Sequence, residues 1–421
     1  MTARHTIRML ATGLSVLLVA AGCATTRTPV PLDEVPLQSR AVTQSAGAVK
    51  VTVAVPTSEE GNAIYGVDLE SKAIQPIWIQ VENDDTHAHW LLPSGLDPSY
   101  FSTAEVAHAF GMSSSDEALK SLNRHFDDLE FKNPVYPGKT ASGFVLVNRD
   151  EGYKALDVDL VSREGLRSFT FIVPDPSFRG DFTLVDFDTI YSEEELIHVE
   201  DLGALREALE RLPCCTTNAD GSEEGDPLNL VLIGDRNDIF PAFIRRNWHG
   251  AEVIWSKSLL RTVESFLQGT RYRYSPVSPL YVYGRRQDLA AQKARSTIHE
   301  RNHLRLWLSP LRFRGKEVWV GQISRDIGVK FTLKSPTIST HVIDPDVDEA
   351  RVYLLEDLAY SQALAVFGFV KGVGAVGEES PRTNLVGDPW FSDGLRVVMF
   401  FEPRPRDLSE IDFLDWEQMH Q

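Results

Sequence analysis

Short runs that alternate apolar and polar residues dominate the first part of the chain. They are Lys50-Val-Thr-Val-Ala-Val, Ile77-Trp-Ile-Gln-Val, Gly143-Phe-Val-Leu-Val, Leu156-Asp-Val-Asp-Leu and Ser168-Phe-Thr-Phe-Ile-Val. Alternation at period two marks a strand with one face on a core and one in water, and Leu156, Val158 and Leu160 set against Asp157 and Asp159 fit that form. Five such runs predict an immunoglobulin-like β-sandwich over residues 49–185, with Thr103 to Asp127 as an inserted helical stretch. Before it, residues 23–48 are rich in Thr, Pro, Ser and Ala without apolar periodicity, which predicts a flexible tether.

The pattern changes after about residue 190. Ser192-Glu193-Glu194-Glu195 has the acids of a helix start, and Leu202 to Leu212 continues at helical spacing. Leu228-Asn-Leu-Val-Leu-Ile-Gly234 predicts a buried strand. Helices are then expected near Ile239 to Asn247, Lys257 to Gln268 and Gln287 to Glu300. Strands follow at His303–Leu308, Glu317–Ile323 and Val329–Leu333, then a long helix from Asp346 to about Val370 and a last strand at Arg396–Phe401. The whole is thus an α+β multidomain chain, its second unit an α/β domain over residues 190–421.

The amino end sets a compartment. Arg4, His5 and Arg8 precede an apolar run from Met9 to Ala21, and Ala20-Ala21-Gly22-Cys23 ends it. That run is shorter than the roughly 20 residues a membrane-crossing helix needs, so residues 1–22 are expected to be a signal peptide. The small residues before Cys23 resemble a lipobox, which implies lipidation of Cys23 and a membrane partner reached through that lipid. No Asp follows the cysteine, which by resemblance to known sorting preferences favours the outer membrane, facing the periplasm. Removal of residues 1–22 leaves 40 basic against 60 acidic side chains. Such a balance argues against nucleic acid as a partner. Only Cys214 and Cys215 then remain; adjacent cysteines allow a vicinal disulfide, but a helix-to-loop junction of small residues is the reading favoured here.

Leu228-Asn-Leu-Val-Leu-Ile-Gly, Ser278-Pro279-Leu-Tyr, Gly284-Arg285-Arg286-Gln287-Asp288-Leu289-Ala290 and Arg301-Asn302-His303-Leu304-Arg305-Leu306-Trp307, in that order, resemble the LssY C-terminal domain over roughly residues 195–405. His-x-Arg-x-Trp is the most specific element. The resemblance brings no established catalytic residues; the family's occurrence in lipoproteins and beside membrane phosphatase-like domains implies lipid or phosphate chemistry by association.

The same region is electrostatically distinct. Residues 285–334 hold twelve basic residues against four acids, a candidate anion site in an acidic protein. Period two puts His303, Arg305 and Trp307 on one strand face and Leu304, Leu306 and Leu308 on the other. Arginine suits bidentate phosphate or carboxylate recognition and histidine titrates near neutrality. Candidate anion-binding or catalytic residues are therefore His303, Arg305, Asp326, His341, Asp344 and Arg285. The leading expectation is binding of a phosphate-bearing lipid or glycan. The alternatives are a hydrolase of phosphate esters or lipids, and a structural assembly factor. A self-satisfied ion pair of Arg305 with Asp288 or Asp326 is the plain structural counterpart. Three acids after Asp344 are accounted for by helix capping. No G-x-S-x-G, H-E-x-x-H, Walker A or Cys-x-x-Cys motif is present, and no cofactor or metal is expected. Gly372-Val-Gly374-Ala-Val-Gly377 lacks the strand-to-helix setting of a dinucleotide loop. His87-Ala-His89 offers two ligands with no third nearby in sequence, and reads as the end of a surface strand.

Overall fold

The computed structural model describes residues 28–112, 115–149, 154–173, 185–250, 279–294, 301–331, 339–403 and 405–419. It is a mixed α/β structure made mostly of strands.

In the first unit, Val42–Ala46, Val49–Ala54, Ile74–Asn83 and Lys139–Asn148 form an antiparallel sheet in that order. Trp90–Leu91, Lys154–Ser162 and Gly165–Val173 form a second. The alternating runs supply the shared core: Val51, Val53, Ile77 and Ile79 from one sheet meet Leu156, Val158, Phe169 and Phe171 from the other. Trp78, Phe144 and Leu146 on the first sheet's opposite face pack on Tyr65, Val106, Phe110 and Phe126. These belong to the helices Ser58–Tyr65, Thr103–Gly111 and Asp116–Leu129, whose first turns are capped by Thr57, Ser102 and Ser115. The result is a helix–sheet–sheet stack. Two sheets do share a core, but the strand order does not establish an immunoglobulin topology.

The expected tether contributes to this fold. Leu37 is 1% exposed in the helix-side core, and Val42–Ala46 pairs with Val49–Ala54. Leu37, with Leu32, Val35 and Ala41 packed beside it, and one edge strand order a segment whose composition reads as a linker.

The second unit is built on a ten-stranded mixed sheet. Its main path runs His249–Gly250, Leu289–Ala294, Arg301–Phe313, Lys316–Phe331, Leu230–Ile233, Leu395–Phe401, Leu364–Lys371 and Asp412–Leu414. The long hairpin turns at Arg314-Gly315, both with positive φ, the conformation a two-residue turn between twisted strands requires. One sheet face presents Leu304, Leu306, Leu308, Leu232 and Ile323 to the helices Arg236–Arg245 and Val347–Ala359. The other presents Val231, Ile233 and Val398 to the helix Leu202–Glu210, and Trp307 and Val320 to Leu228, Leu280 and Val282.

Three expected elements differ. Gln287–Glu300 was expected to be helical, but Leu289–Ala294 is a strand: Leu289 and Ala291 join the core while Gln292 faces the other way, so pairing with Arg301–Phe313 overrides an Ala-rich helical propensity. The long helix ends at Ala359. Gln362 takes φ 62°, Ser361 Oγ donates back to Leu358, and the apolar run Leu364–Lys371 becomes a sheet strand. Two short expected strands are one, Lys316–Phe331. The helix expected at Lys257–Gln268 lies outside the described residues, as do Cys23 and the signal segment.

Candidate functional site

The leucine face of Arg301–Phe313 fixes what its other face must carry, and there the chain places Arg301, His303 and Arg305. On the paired strand the same face holds Gln322, Ser324 and Asp326, with His303 directly opposite Ser324 and Arg305 opposite Gln322. Gln292 lies opposite His303 on the other neighbour. All of these side chains are buried, with His303 the least so at 8% exposure.

Hydrogen bonds link these side chains one to the next. Arg305 has only donors, and its Nη1 gives one to Gln322 Oε1 at 2.9 Å. That fixes the amide, so Gln322 Nε2 donates to Ser324 Oγ at 3.0 Å. Ser324 Oγ and His303 Nε2 stand 3.0 Å apart, a hydrogen bond whose donor is set by the histidine tautomer. The other ring nitrogen, Nδ1, lies 3.2 Å from Asp326 Oδ1, close but out of line for a good hydrogen bond. Asp326 Oδ2 accepts from Arg301 Nε at 2.8 Å, and Arg301 Nη1 donates to Gln292. A serine hydroxyl beside an imidazole whose second nitrogen faces a carboxylate is the order required of nucleophile, base and orienting acid.

Two further carboxylates complete the cluster. Asp226 and Asp388 are buried, and Asn384 Nδ2 donates to Asp226 Oδ1 at 3.2 Å. Burial raises the Asp226 pKa; Arg305, the Asn384 hydrogen bond and His303 oppose the rise, and Asp388 adds to it. Four ionisable groups of one sheet face and two from neighbouring segments are thus buried together.

Arg285 and Asp344 make contacts of their own. Arg285 is clamped to Asp288 by two hydrogen bonds of 2.9 Å and also donates to Tyr191 Oη and Leu308 O. It is a structural pair. Asp344 accepts from the Asp346 backbone and stands 3.9 Å from Arg325, with its pKa raised by burial. His341 sits on the strand Ser339–Ile343 opposite Val329; its side chain lies outside the described residues. Asp288 holds Arg285, and Asp326 holds Arg301.

The basic patch dissolves on folding. Lys293 pairs with Asp357, Lys316 with Asp235 and Arg325 with Glu349, acids from outside the basic segment. An open groove of about 900 Å³ beside the helix Val347–Ala359 is lined by more acids, among them Asp346, Glu349, Glu356 and Glu378, than bases, Arg325 and Arg351, a balance that does not favour an anion. Cys214 and Cys215, expected as small junction residues, are a vicinal disulfide, with the Arg382 guanidinium 3.7 Å from Cys214 Sγ. Their sulfurs lie near Glu224, but each is bonded to the other and Arg382 already pairs with that acid.

Ser324, Gln322, Arg301, Asp226 and Asp388 were not singled out from the sequence. Only Ser324 carried a usable signal, its two-residue spacing from Asp326 on one strand. No curated protein and no solved structure matches the chain. Residues 206–395, which contain every member of the cluster, match the family model described as LssY C-terminus. An LssY C-terminal domain is therefore present in this chain over residues 206–395.

Proposed function

We propose that the chain is a lipid-anchored cell-envelope protein whose LssY C-terminal domain hydrolyses esters of lipids or phosphates. The observation that carries this reading is the burial of Arg301, His303, Arg305 and Asp326 on one sheet face, with buried Asp226 and Asp388 beside them. Burying a charge costs several kcal/mol even when paired, and such clusters concentrate where their chemistry is used. In the proposed reaction Ser324 Oγ attacks the ester carbonyl or phosphorus and passes its proton to His303 Nε2. His303 returns that proton to the leaving oxygen, and water then releases the acylated or phosphorylated serine by the same path in reverse. Asp326 holds the imidazole, and Arg305 offers positive charge to the developing oxyanion. His303 is the least buried member, so we place the substrate's approach on its side.

Simple capture of an anionic ligand is the weaker reading, because Arg301 and Arg305 already stand beside the buried carboxylates Asp326 and Asp226. The envelope location rests on the Cys23 segment and is supported by the disulfide, which persists in oxidising compartments. We place the anchor in the outer membrane, with the body facing the periplasm.

The test measures release from p-nitrophenyl acetate, p-nitrophenyl phosphate and a phospholipid, together with labelling by a fluorophosphonate. The reading predicts turnover of at least one substrate, a covalent adduct on Ser324, and loss of both in Ser324→Ala. Inertness towards all of them, or full activity in Ser324→Ala, would remove the hydrolase reading.

A further inference from the structure

His87-Ala-His89, which reads as an unaccompanied pair in the sequence, acquires partners from elsewhere in the fold. Asp85 and His87 lie in the loop after the strand Ile74–Asn83, and Glu164 lies in the turn between Lys154–Ser162 and Gly165–Val173. One ligand atom from each of Asp85, His87 and Glu164 lies within 4.8 Å of the other two. We propose that these three side chains bind a divalent first-row transition ion such as Zn²⁺, tying the first sheet of the sandwich to the second.

The donor set is one imidazole and two carboxylates, which suits a borderline ion more than a hard one. His87 Nδ1 already stands 3.3 Å from Glu164 Oε1. Around a tetrahedral ion with bonds near 2.1 Å the donors stand roughly 3.4 Å apart, so a modest inward shift of the exposed Glu164 closes the site.

The loop is held by a buried side chain. Asn83, 1% exposed, donates to His87 O and to Val135 O, both at 2.9 Å, and accepts from the Asp85 backbone at 3.0 Å. His89 is not a surface residue at all. It is fully buried, its Nε2 lies 3.2 Å from Asp85 Oδ2, and its Nδ1 has no hydrogen-bond partner. A histidine behind a carboxylate ligand is an outer-shell support that fixes that carboxylate's direction. Arg167 Nη2 also meets Asp85 Oδ2, at 2.5 Å, and Thr86 Oγ1 meets His87 Nδ1 at 3.0 Å. On binding an ion, Arg167 keeps its second bond, to Ala46 O at 2.7 Å, and the Thr86 hydroxyl turns away.

The site is independent of the proposed hydrolase. The metal-free full chain is titrated with Zn²⁺ by calorimetry with Mg²⁺ present throughout, and its melting temperature is recorded with and without Zn²⁺. One equivalent of Zn²⁺ should bind and raise the melting temperature. His87→Ala and Glu164→Gln alter side chains that are 34% and 55% exposed, so the metal-free melting temperature should hold while Zn²⁺ affinity falls at least tenfold in each. No binding by the wild type overturns the proposal, and so does undiminished binding in the two variants, since the ion would then sit elsewhere.

Discussion

Arg245 Nη2 lies 2.8 and 3.0 Å from the two carboxylate oxygens of Asp159, joining a helix of the second unit to a strand of the first. Its Nε stands 3.4 Å from Asp157 Oδ2. The aspartates that alternate with Leu156, Val158 and Leu160 are therefore not on a wet face but under a guanidinium. Both are nearly dry, with side chains 3% and 9% exposed. Arg245→Ala would leave two buried carboxylates without their cation, a loss of about 3–5 kcal/mol. The expected result is a lower melting temperature and a melt that splits into two transitions as the units uncouple. A single melt at the wild-type temperature would show that the contact contributes nothing.

Asp157 gives this junction a pH dependence. Burial lifts its pKa to about 6, against opposing pulls from Arg245 and the Thr170 hydroxyl, while Asp159 pushes it higher. Its folded pKa lies above the unfolded value, so its contribution to stability is full below about pH 4 and is lost as the pH rises through 6. Two pKa units correspond to roughly 3 kcal/mol. Asp157→Asn keeps the oxygen that accepts from Thr170 and cannot ionise. Denaturant titrations between pH 4 and 7 should show the wild type losing stability relative to this variant as the pH rises, and parallel curves would contradict the assignment.

The period-two runs made both sheets of the first unit legible, because one-sided burial writes itself into alternation. Helices were harder where the same apolar residues serve a strand: Ala363 to Val370 carries no polar interruption that tells a buried strand from the end of a helix. In the candidate site, the shared face of His303 and Arg305 followed from the leucines opposite, and Asp326 was named. Ser324 was not, and register explains why. Counted back from the Arg314-Gly315 turn, His303 would oppose Asp326; an irregularity between Leu308 and Arg312 shifts the pairing by two and puts Ser324 there instead. A shift of two keeps every side chain on its face, so no hydrophobic pattern reports it. Asp226, on the short strand Glu224–Pro227, and Asp388, from a loop, arrive from far away in sequence, and the pairing of Lys293, Lys316 and Arg325 depends on Asp357, Asp235 and Glu349, which only folding brings near.

The lipid anchor is tested by one atom. Cys23→Ala removes the thiol that would carry the acyl chains, and the variant should leave the membrane fraction or retain its signal segment uncleaved. Normal processing with membrane attachment in that variant would sink the lipoprotein reading.

Arg305, a candidate anion-binding or catalytic residue in the sequence, is also part of the packed interior. The guanidinium is 5% exposed, donates to Gln322 and is the first electrostatic support of the buried Asp226. Arg305→Ala frees the Gln322 amide that orients Ser324 and leaves a cavity where a long side chain was packed. Loss of a charged hydrogen bond and of that packing should cost about 2–4 kcal/mol, read as a lower midpoint in chemical denaturation. Arg305→Lys retains the charge but cannot reproduce the planar fork, so it should recover part of the stability. Gln322→Leu separates the two roles, since it breaks the directional chain between Arg305 and Ser324 while filling the space. If the chain serves catalysis, Gln322→Leu should lower kcat more than the midpoint predicts; if Arg305 acts only as a prop, activity and stability should fall together across all three variants.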